Sequence, residues 1–227
     1  FHSDDHGASW TIVDSLWRHP KRTEWMGGGA DLPGLHSICV DPRSSKTIRL
    51  GVSCGGVWQT DDGGLTWSCR ADGMRAEFLP PEMESEPWQQ DPHLLVQSPF
   101  NPDRLWVQHH NGIFFSSDGS ASWQELHAKP SSFGFAVAVH PSEPDTAWFV
   151  PGIKDELRIP VDGKLVVTRT RDGGKTWQSL TNGLPQTHAY DLAYRHALTI
   201  DKTGNRLAFG TTTGNVYVTE DQGESWQ

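Results

Sequence analysis

Short apolar stretches alternate with turn residues along the whole chain, and no segment shows the 3.6-residue spacing of an amphipathic helix. Segments 112–115 and 215–218 are examples: each is apolar or aromatic and runs directly into a cluster of Asp, Gly, Ser and Thr. That succession is typical of a strand that enters a tight turn. The pattern therefore predicts an all-β chain of short antiparallel strands.

The turns share one octapeptide, Ser/Thr-x-Asp-x-Gly-x-Ser/Thr-Trp, with copies that begin at residues 3, 60, 116, 170 and 219. A nearly fixed period of this length indicates stacked structural repeats. One copy departs from the pattern, because Ser120 stands in place of Gly. The Asp is expected to accept bonds from turn amides, the Gly to adopt positive φ, and the Trp to pack as an apolar plug. We therefore expect structural roles for Asp5, Trp10, Asp62, Trp67, Asp118, Trp123, Asp172, Trp177, Asp221 and Trp226.

Counting back from each motif gives units of four strands, which predicts a β-propeller of four-stranded antiparallel blades in a single domain, 1–227. First strands are expected at 35–41, 93–98, 135–140 and 196–201, and fourth strands are expected to begin at Trp67, Trp123 and Trp177. The predicted units are a partial blade 1–20, blades at about 34–72, 92–128 and 133–182, and a partial blade 189–227. Five motifs with incomplete outer units predict a fragment of a six- to eight-bladed propeller that continues at both ends.

Composition narrows the classes of partner. The formal net charge of −9, without a run of Lys or Arg, argues against nucleic acid and anionic membrane. No apolar run approaches the roughly 20 residues that span a bilayer. Three cysteines favour a reducing, cytoplasmic compartment over a disulfide framework, although the start at Phe1 leaves the compartment open.

Loop lengths predict where a ligand binds. In a propeller blade the turns between strands 1 and 2 and between strands 3 and 4 lie on one face, and the other connections lie on the opposite face. The long, irregular segments 18–34, 71–92, 152–163 and 182–194 all belong to that opposite face. Variable loops on a rigid scaffold commonly carry binding sites, so we expect the ligand there.

Three histidines, His36, His93 and His196, occupy one aligned position at the start of first strands, where Phe135 stands in the fourth unit. Three imidazoles are a known metal-ligand set, and bonding to the backbone of a neighbouring blade is the alternative. Because the spacing carries no metal signature, the sequence predicts neither a metal nor any other cofactor.

Two loops hold the other candidate residues. Asp155, Glu156 and Arg158 lie in a charged insertion that supplies either acid, base and anion clamp or a self-contained ion-pair loop. The crossover 186–196 adds polar and aromatic residues suited either to a sugar face or to packing between blades, namely His188, Tyr190, Asp191, Tyr194 and Arg195. In the loop 75–88, Trp88 is either a stacking platform or an anchor for the loop.

The repeated motif resembles the Asp-box, or BNR repeat, of sialidases, sortilin-type receptors, photosystem II assembly factors and bacterial proteins labelled glycosyl hydrolase. Segments 75–79, 91–93, 133–135, 155–163 and 183–190 resemble one bacterial group of these propellers, labelled glycosyl hydrolase or exo-α-sialidase. The resemblance implies a propeller whose motif is structural and lies away from the active face. Arg158-Ile159-Pro160 matches a sialidase tripeptide in letters but not in position, and no complete sialidase set is assigned.

Three functions follow as hypotheses. The first is a propeller that binds a carbohydrate or other small polar ligand on the loop-rich face. The second is a glycoside hydrolase with Asp155 or Glu156 as general acid, Asp191 as base or nucleophile, and Arg158 and Arg195 holding the substrate. The third is a protein-assembly scaffold, so a protein partner stays open.

Overall fold

A computed structural model describes residues 1–227 as four antiparallel sheets arranged side by side. The first sheet contains β1 (Leu35–Asp41), β2 (Ser44–Val52), β3 (Gly56–Thr60) and β4 (Ser68–Cys69). The second contains β5 (Pro92–Gln97), β6 (Leu105–His109), β7 (Ile113–Ser116) and β8 (Gln124–Leu126). The third contains β9 (Gly134–Val139), β10 (Ala147–Pro151), β11 (Val167–Thr170) and β12 (Gln178–Leu180). The fourth has three strands, β13 (Leu198–Ile200), β14 (Leu207–Gly210) and β15 (Val216–Thr219).

Within each sheet the strands are paired in chain order, as in a propeller blade. The first strands β1, β5, β9 and β13 contact one another in succession, so they line a common inner side. The predicted all-β class and four-stranded blades are therefore confirmed. Two faces follow from this topology: the motif face carries the repeated motif, and the loop face carries the connections between second and third strands and between sheets.

The repeated motif forms a hydrogen-bonded turn. In the second copy the Asp62 carboxylate accepts hydrogen bonds from the Thr66 amide at 2.9 Å, the Thr66 hydroxyl at 2.6 Å and the Thr60 hydroxyl at 2.7 Å. The Thr60 hydroxyl in turn accepts a bond from the Gly64 amide at 2.8 Å. The same Asp geometry recurs at Asp5, Asp118, Asp172 and Asp221. Each motif is thus a self-bonded turn on the motif face.

The departure at Ser120 has a structural reason. The equivalent residues Gly64 and Gly174 have φ of 92° and 88°, and Ser120 adopts the same left-handed region at 72°. Its buried hydroxyl donates to Oε1 of Gln59 in the first sheet at 2.9 Å. A glycine there would relieve the backbone strain but would leave this contact between the two sheets unmade.

The core consists of apolar layers between neighbouring sheets. Trp106 of β6 and Trp148 of β10 are fully buried, and their indole N–H groups donate to the carbonyls of Pro144 and Gln222 in the next sheet. Trp123 and Trp226 of the repeated motif are also buried, whereas Trp10 is 64% exposed. Buried indoles therefore join consecutive sheets and fix the positions of the loops.

Short helical segments interrupt the loops, a feature that the sequence pattern did not predict. They are an α-helical turn, α1 (Asp14–Trp17), and 3-10 turns at Pro20–Glu24, Pro87–Gln89, Val161–Gly163 and Arg195–Ala197. The last of these corrects one predicted strand: His196 lies in a 3-10 turn before β13 instead of beginning the strand. None of the helices has the length and apolar character that crossing a membrane requires. The three cysteines are free thiols.

Candidate functional site

The loop face gathers side chains from the starts of the first strands. His36, His93 and Phe135 are each the second residue of β1, β5 and β9. Because these strands are neighbours around the inner side, equivalent positions on them lie close together. Residues of the 152–163 loop and of the 182–197 crossover complete this surface.

The Phe135 ring is the centre of the cluster. The imidazole of His93 stacks on it at 4.3 Å between centroids with an interplanar angle of 11°. The rings of Phe133 and Tyr194 contact Phe135 at 5.4 Å and 4.8 Å. Phe133 and Phe135 are buried, whereas Tyr194 is 38% exposed, so Tyr194 presents the cluster to solvent.

Two guanidinium groups lie over the same ring. The central carbons of Arg158 and Arg195 are 5.2 Å and 5.4 Å from the Phe135 centroid, within the range of cation–π attraction. Arg195 also donates from Nε to the His93 carbonyl at 3.1 Å. Arg158 pairs with Asp155 at 2.5 Å and donates to the Tyr194 hydroxyl at 3.4 Å. The loop face thus combines exposed aromatic, cationic and anionic groups in one patch.

A buried carboxylate lies beside this patch. Oδ1 of Asp91 accepts bonds from the Ser53 hydroxyl at 2.6 Å and the Cys54 amide at 3.2 Å. Oδ2 faces Nε2 of His93 at 3.6 Å and Nδ1 of His110 at 3.4 Å. Burial raises the pKa of Asp91, but the adjacent His110 and His93 imidazoles and the Ser53 hydroxyl lower it further, and the net pKa lies far below the usual range. The carboxylate is therefore ionised, and the pKa of His110 is raised by it.

The three aligned histidines, His36, His93 and His196, do not form a single group of potential metal ligands. Only one group of side chains, Asp91, His93 and His110, brings at least three potential metal-ligand atoms within 4.8 Å of one another. His36 instead lies near Arg195, and burial followed by that positive charge lowers the pKa of His36 to about 4. His36 and His196 line one end of a groove of about 600 Å³ along the first strands.

Comparison with known proteins shows what the chain as a whole is similar to. No protein-family profile matches the chain. An oligoxyloglucan-reducing end-specific xyloglucanase from Emericella nidulans is 26% identical over 149 residues, which cover 59% of this chain and 17% of that enzyme. A xyloglucanase from Hypocrea jecorina is 24% identical over 200 residues, 79% of this chain and 22% of that enzyme. The chain thus spans about a fifth of the length of these curated relatives.

Solved structures show which fold the chain shares. An ancestral GH74 enzyme superposes with a TM-score of 0.63 at 16% identity, covering 85% of this chain and 23% of that one. The GH74 xyloglucanase from Xanthomonas campestris gives 0.58 at 16% identity, covering 89% and 31%. YCF48 from Cyanidioschyzon merolae gives 0.54 at 17% identity, covering 86% and 55%. The chain has the β-propeller fold. Glycoside-hydrolase-like propellers and YCF48 share this fold.

The predicted acid–base residues occupy different surroundings within this propeller. Glu156 is exposed and pairs with Lys154 at 3.4 Å. Asp191 is buried, and its Oδ1 accepts bonds from Thr211, Thr213 and Asn215 at 2.9, 2.5 and 3.0 Å. This geometry gives Asp191 a part in holding the turn between β14 and β15.

The other predicted ligand residues also differ in their exposure and contacts. Tyr190 is 57% exposed, and His188 is exposed with φ of 54°. Trp88 donates from its indole N–H to Glu24 at 2.6 Å, and Nζ of Lys21 lies 3.7 Å from its ring centroid. The aromatic face of Trp88 is thus already occupied, which matches the alternative of a loop anchor.

Sequence reasoning did not single out Asp91, His110 or Phe133 as site residues. Asp91 and Phe133 lie in segments that carry the family resemblance, which assigns them no role. The available signal was positional: each lies where a first strand begins or a second strand ends on the loop face. The pairing of Pro92 with His109 brings Asp91 beside His110, and that register is invisible in a single sequence.

Proposed function

We propose that the loop face of this chain binds carbohydrate, as part of a propeller of the glycoside-hydrolase-like type. The observation that carries the proposal is the patch formed by Tyr194, Arg158 and Asp155 over the buried Phe135 ring. Tyr194 offers an exposed aromatic face with a polar tip, which suits the mixed apolar and hydroxyl character of a sugar ring.

The charged pair adds the hydrogen-bonding groups that a sugar requires. The Arg158 and Asp155 side chains are 41% and 31% exposed, so both retain free donors and acceptors toward solvent. Packing of Arg158 over Phe135 and its bond to Tyr194 hold these groups in place before a ligand arrives. The exposed Tyr190 extends the aromatic surface along the crossover.

The names of the relatives suggest the ligand class to test first. Two curated relatives and one structural neighbour are xyloglucanases, and this supports xyloglucan oligosaccharides as ligands. Since the chain spans only part of those proteins, the proposal concerns the surface present in this segment.

The chemistry of the loop carboxylates favours a role in binding over a role as catalytic acid and base. A general acid at neutral pH needs a raised pKa, whereas hydrogen bonding by its own backbone amide and the charge of Lys154 lower the pKa of Glu156. The three donors on Oδ1 of Asp191 likewise stabilise a fixed carboxylate. Hydrolysis with Asp155 or Glu156 as acid and Asp191 as base remains the alternative hypothesis.

Calorimetric titration with xyloglucan oligosaccharides tests the proposal, with a sialylated oligosaccharide as the comparison ligand. Tyr194→Ala and Arg158→Met are expected to weaken saccharide binding at least about tenfold, the effect of losing about 1.4 kcal/mol. Arg206→Met is the matched control, because Arg206 is an exposed arginine that pairs with Glu220 at 3.2 Å in a different hairpin. Equal affinities in all three variants, or no saccharide binding by the wild type, contradict the proposal.

The hydrolase alternative has its own test. Release of reducing sugar from xyloglucan is measured for the wild type and for Asp155→Asn, Glu156→Gln and Asp191→Asn. If turnover occurs and one of these variants abolishes it while saccharide binding persists, the chain is a hydrolase that uses that carboxylate. Turnover that all three variants retain excludes this assignment of residues.

A further inference from the structure

We propose that Asp91, His93 and His110 bind a divalent first-row transition metal ion such as Zn²⁺. Asp91 immediately precedes β5, His93 is the second residue of β5, and His110 directly follows β6. The antiparallel pairing of these strands places their ligand atoms within 4.8 Å of one another. One carboxylate and two imidazoles are donors that Zn²⁺, Mn²⁺ and Fe²⁺ accept.

The distances fit a shared cation better than direct hydrogen bonds. Oδ2 of Asp91 is 3.6 Å from Nε2 of His93 and 3.4 Å from Nδ1 of His110. An N–H···O bond is normally about 2.7–3.2 Å long, so both separations exceed it. In a tetrahedral site with bonds of about 2.0–2.1 Å, neighbouring ligand atoms lie about 3.3 Å apart. The two distances from Asp91 are therefore close to the edge length of such a site, and the distance between the two imidazole ligand atoms is at most 4.8 Å.

The tautomer of His93 supports the same conclusion. Its Nδ1 lies 2.8 Å from the carbonyl oxygen of Gly134. A carbonyl oxygen only accepts hydrogen bonds, so Nδ1 carries the proton, and in the neutral ring Nε2 presents a lone pair to Asp91. A lone pair and a carboxylate oxygen that face each other in a buried space repel, and a metal ion between them removes that repulsion, as a second proton on His93 would. Donation from the distal ring nitrogen to a carbonyl is also the usual arrangement of a metal-bound histidine.

The other oxygen of the carboxylate is held from behind. Oδ1 of Asp91 accepts bonds from the Ser53 hydroxyl and the Cys54 amide, and this leaves Oδ2 directed at the imidazoles. The Asp91 amide also donates to Nε2 of His109 at 2.9 Å. Partners of this kind orient metal ligands and tune their affinity.

The site has access to solvent and a mixed surrounding charge. His93 and Asp91 are buried, but the His110 side chain is 25% exposed, so a ligand from solvent can complete the coordination. Gly28 lies over the carboxylate, and a Cβ at this position would be 2.9 Å from the Ser53 hydroxyl and 3.5 Å from Oδ2 of Asp91. Arg195 contributes a positive charge near Asp91, and the carboxylates of Asp155 and Glu156 act on His110 with the opposite sign.

Metal titration of the chelator-treated chain tests this proposal. Calorimetry with Zn²⁺ is expected to show one ion per chain, and Co²⁺ is expected to give the visible absorption bands of a low-symmetry site with nitrogen and oxygen ligands. His110→Ala and Asp91→Asn should each weaken Zn²⁺ binding at least about tenfold, since loss of outer-shell partners alone commonly costs 10–100-fold. His110→Ala is the safer variant for folding because the side chain is part-exposed, and circular dichroism verifies the fold of both.

Two controls separate this site from adventitious binding. His188→Ala removes an exposed loop-face histidine outside the group, and Cys39→Ser removes a free thiol of β1 that also lies outside it. Both should bind Zn²⁺ as the wild type does. Affinities that are unchanged in His110→Ala and Asp91→Asn, or a wild type that binds neither Zn²⁺ nor Co²⁺, overturn the proposal. In that case an imidazolium–carboxylate ion pair accounts for the three side chains.

Discussion

The Nε atom of Arg49 lies 3.3 Å from the hydroxyl oxygen of Ser120, across the boundary between the first and second sheets. Both groups also contact Oε1 of Gln59, each at 2.9 Å. Arg49 is 3% exposed, and its Nη1 donates to Gln97 at 2.6 Å and lies 3.4 Å from Asp41. A buried charge is costly unless it is hydrogen-bonded. Ser120, the one irregular residue of the repeated motif, therefore helps to stabilise the buried guanidinium of Arg49.

Substitution of Ser120 separates the two physical effects at this position. Ser120→Ala keeps the positive φ and removes the hydroxyl, and we expect it to lower the free energy of unfolding by about 1–3 kcal/mol. Ser120→Gly also removes the hydroxyl but relieves the backbone, so it should be about 1 kcal/mol more stable than the Ala variant. Urea unfolding measures both values. Ser117→Ala, in the same turn but exposed, is the control; an Ala variant at position 120 as stable as the wild type contradicts the argument.

Adjacent aspartates in the second motif provide a matched pair. The Asp62 carboxylate accepts bonds from Thr60, Leu65 and Thr66, whereas that of Asp61 accepts bonds only from the Gln59 side chain. Asp62→Ala is therefore expected to cost about 1–2 kcal/mol of stability, because it leaves turn amides without partners, and Asp61→Ala should cost less. Thermal unfolding of both variants ranks them. Equal losses would show that the motif's Asp is not the residue that holds the turn.

The repeats were predictable from sequence because a fixed octapeptide carries the turn chemistry at every copy. The fourth strands are predicted to begin at Trp67, Trp123 and Trp177. The observed strands begin one residue later, at Ser68, Gln124 and Gln178. The site was less accessible to sequence reasoning because it depends on register between β5 and β6 and on stacking around Phe135. The 3-10 turn that contains His196 was also not predictable, because it is set by tertiary packing and the sequence there has no helical periodicity.

Acid should destabilise the fold through the motif carboxylates. The Ser225 and Thr219 hydroxyls lower the pKa of Asp221 to about 2, and the Ser9 side chain and amide, with Ser3, lower the pKa of Asp5 to about 2. The pKa values of Asp62, Asp118 and Asp172 are lowered as well. A carboxylate with a lowered folded pKa stabilises the fold above its unfolded pKa of about 3.9. That contribution is lost as the pH falls from about 4 through about 2.

Thermal unfolding at pH 5, 4, 3 and 2 measures this loss. The wild-type midpoint is expected to fall steeply below pH 4. Asp221→Asn, which has no proton to gain at that position, should be less stable at pH 5 and should show a shallower fall. Parallel pH profiles for the two proteins would mean that Asp221 contributes nothing to the acid sensitivity.

Trp88 provides a test of the loop face that is independent of its charged patch. The indole N–H donates to Glu24, and Lys21 covers the ring, so Trp88 fastens the segment around the 3-10 turn Pro20–Glu24 to the 3-10 turn Pro87–Gln89. Trp88→Phe keeps an aromatic ring but loses the donor, and we expect the segment to open more readily by about 0.5–1.5 kcal/mol. Amide hydrogen exchange at residues 20–26 measures the opening, and saccharide titration should give the wild-type affinity. Glu24→Gln, which retains an acceptor for the indole, should change exchange less. A variant with weaker saccharide binding but unchanged exchange would instead identify Trp88 as a stacking platform for the ligand.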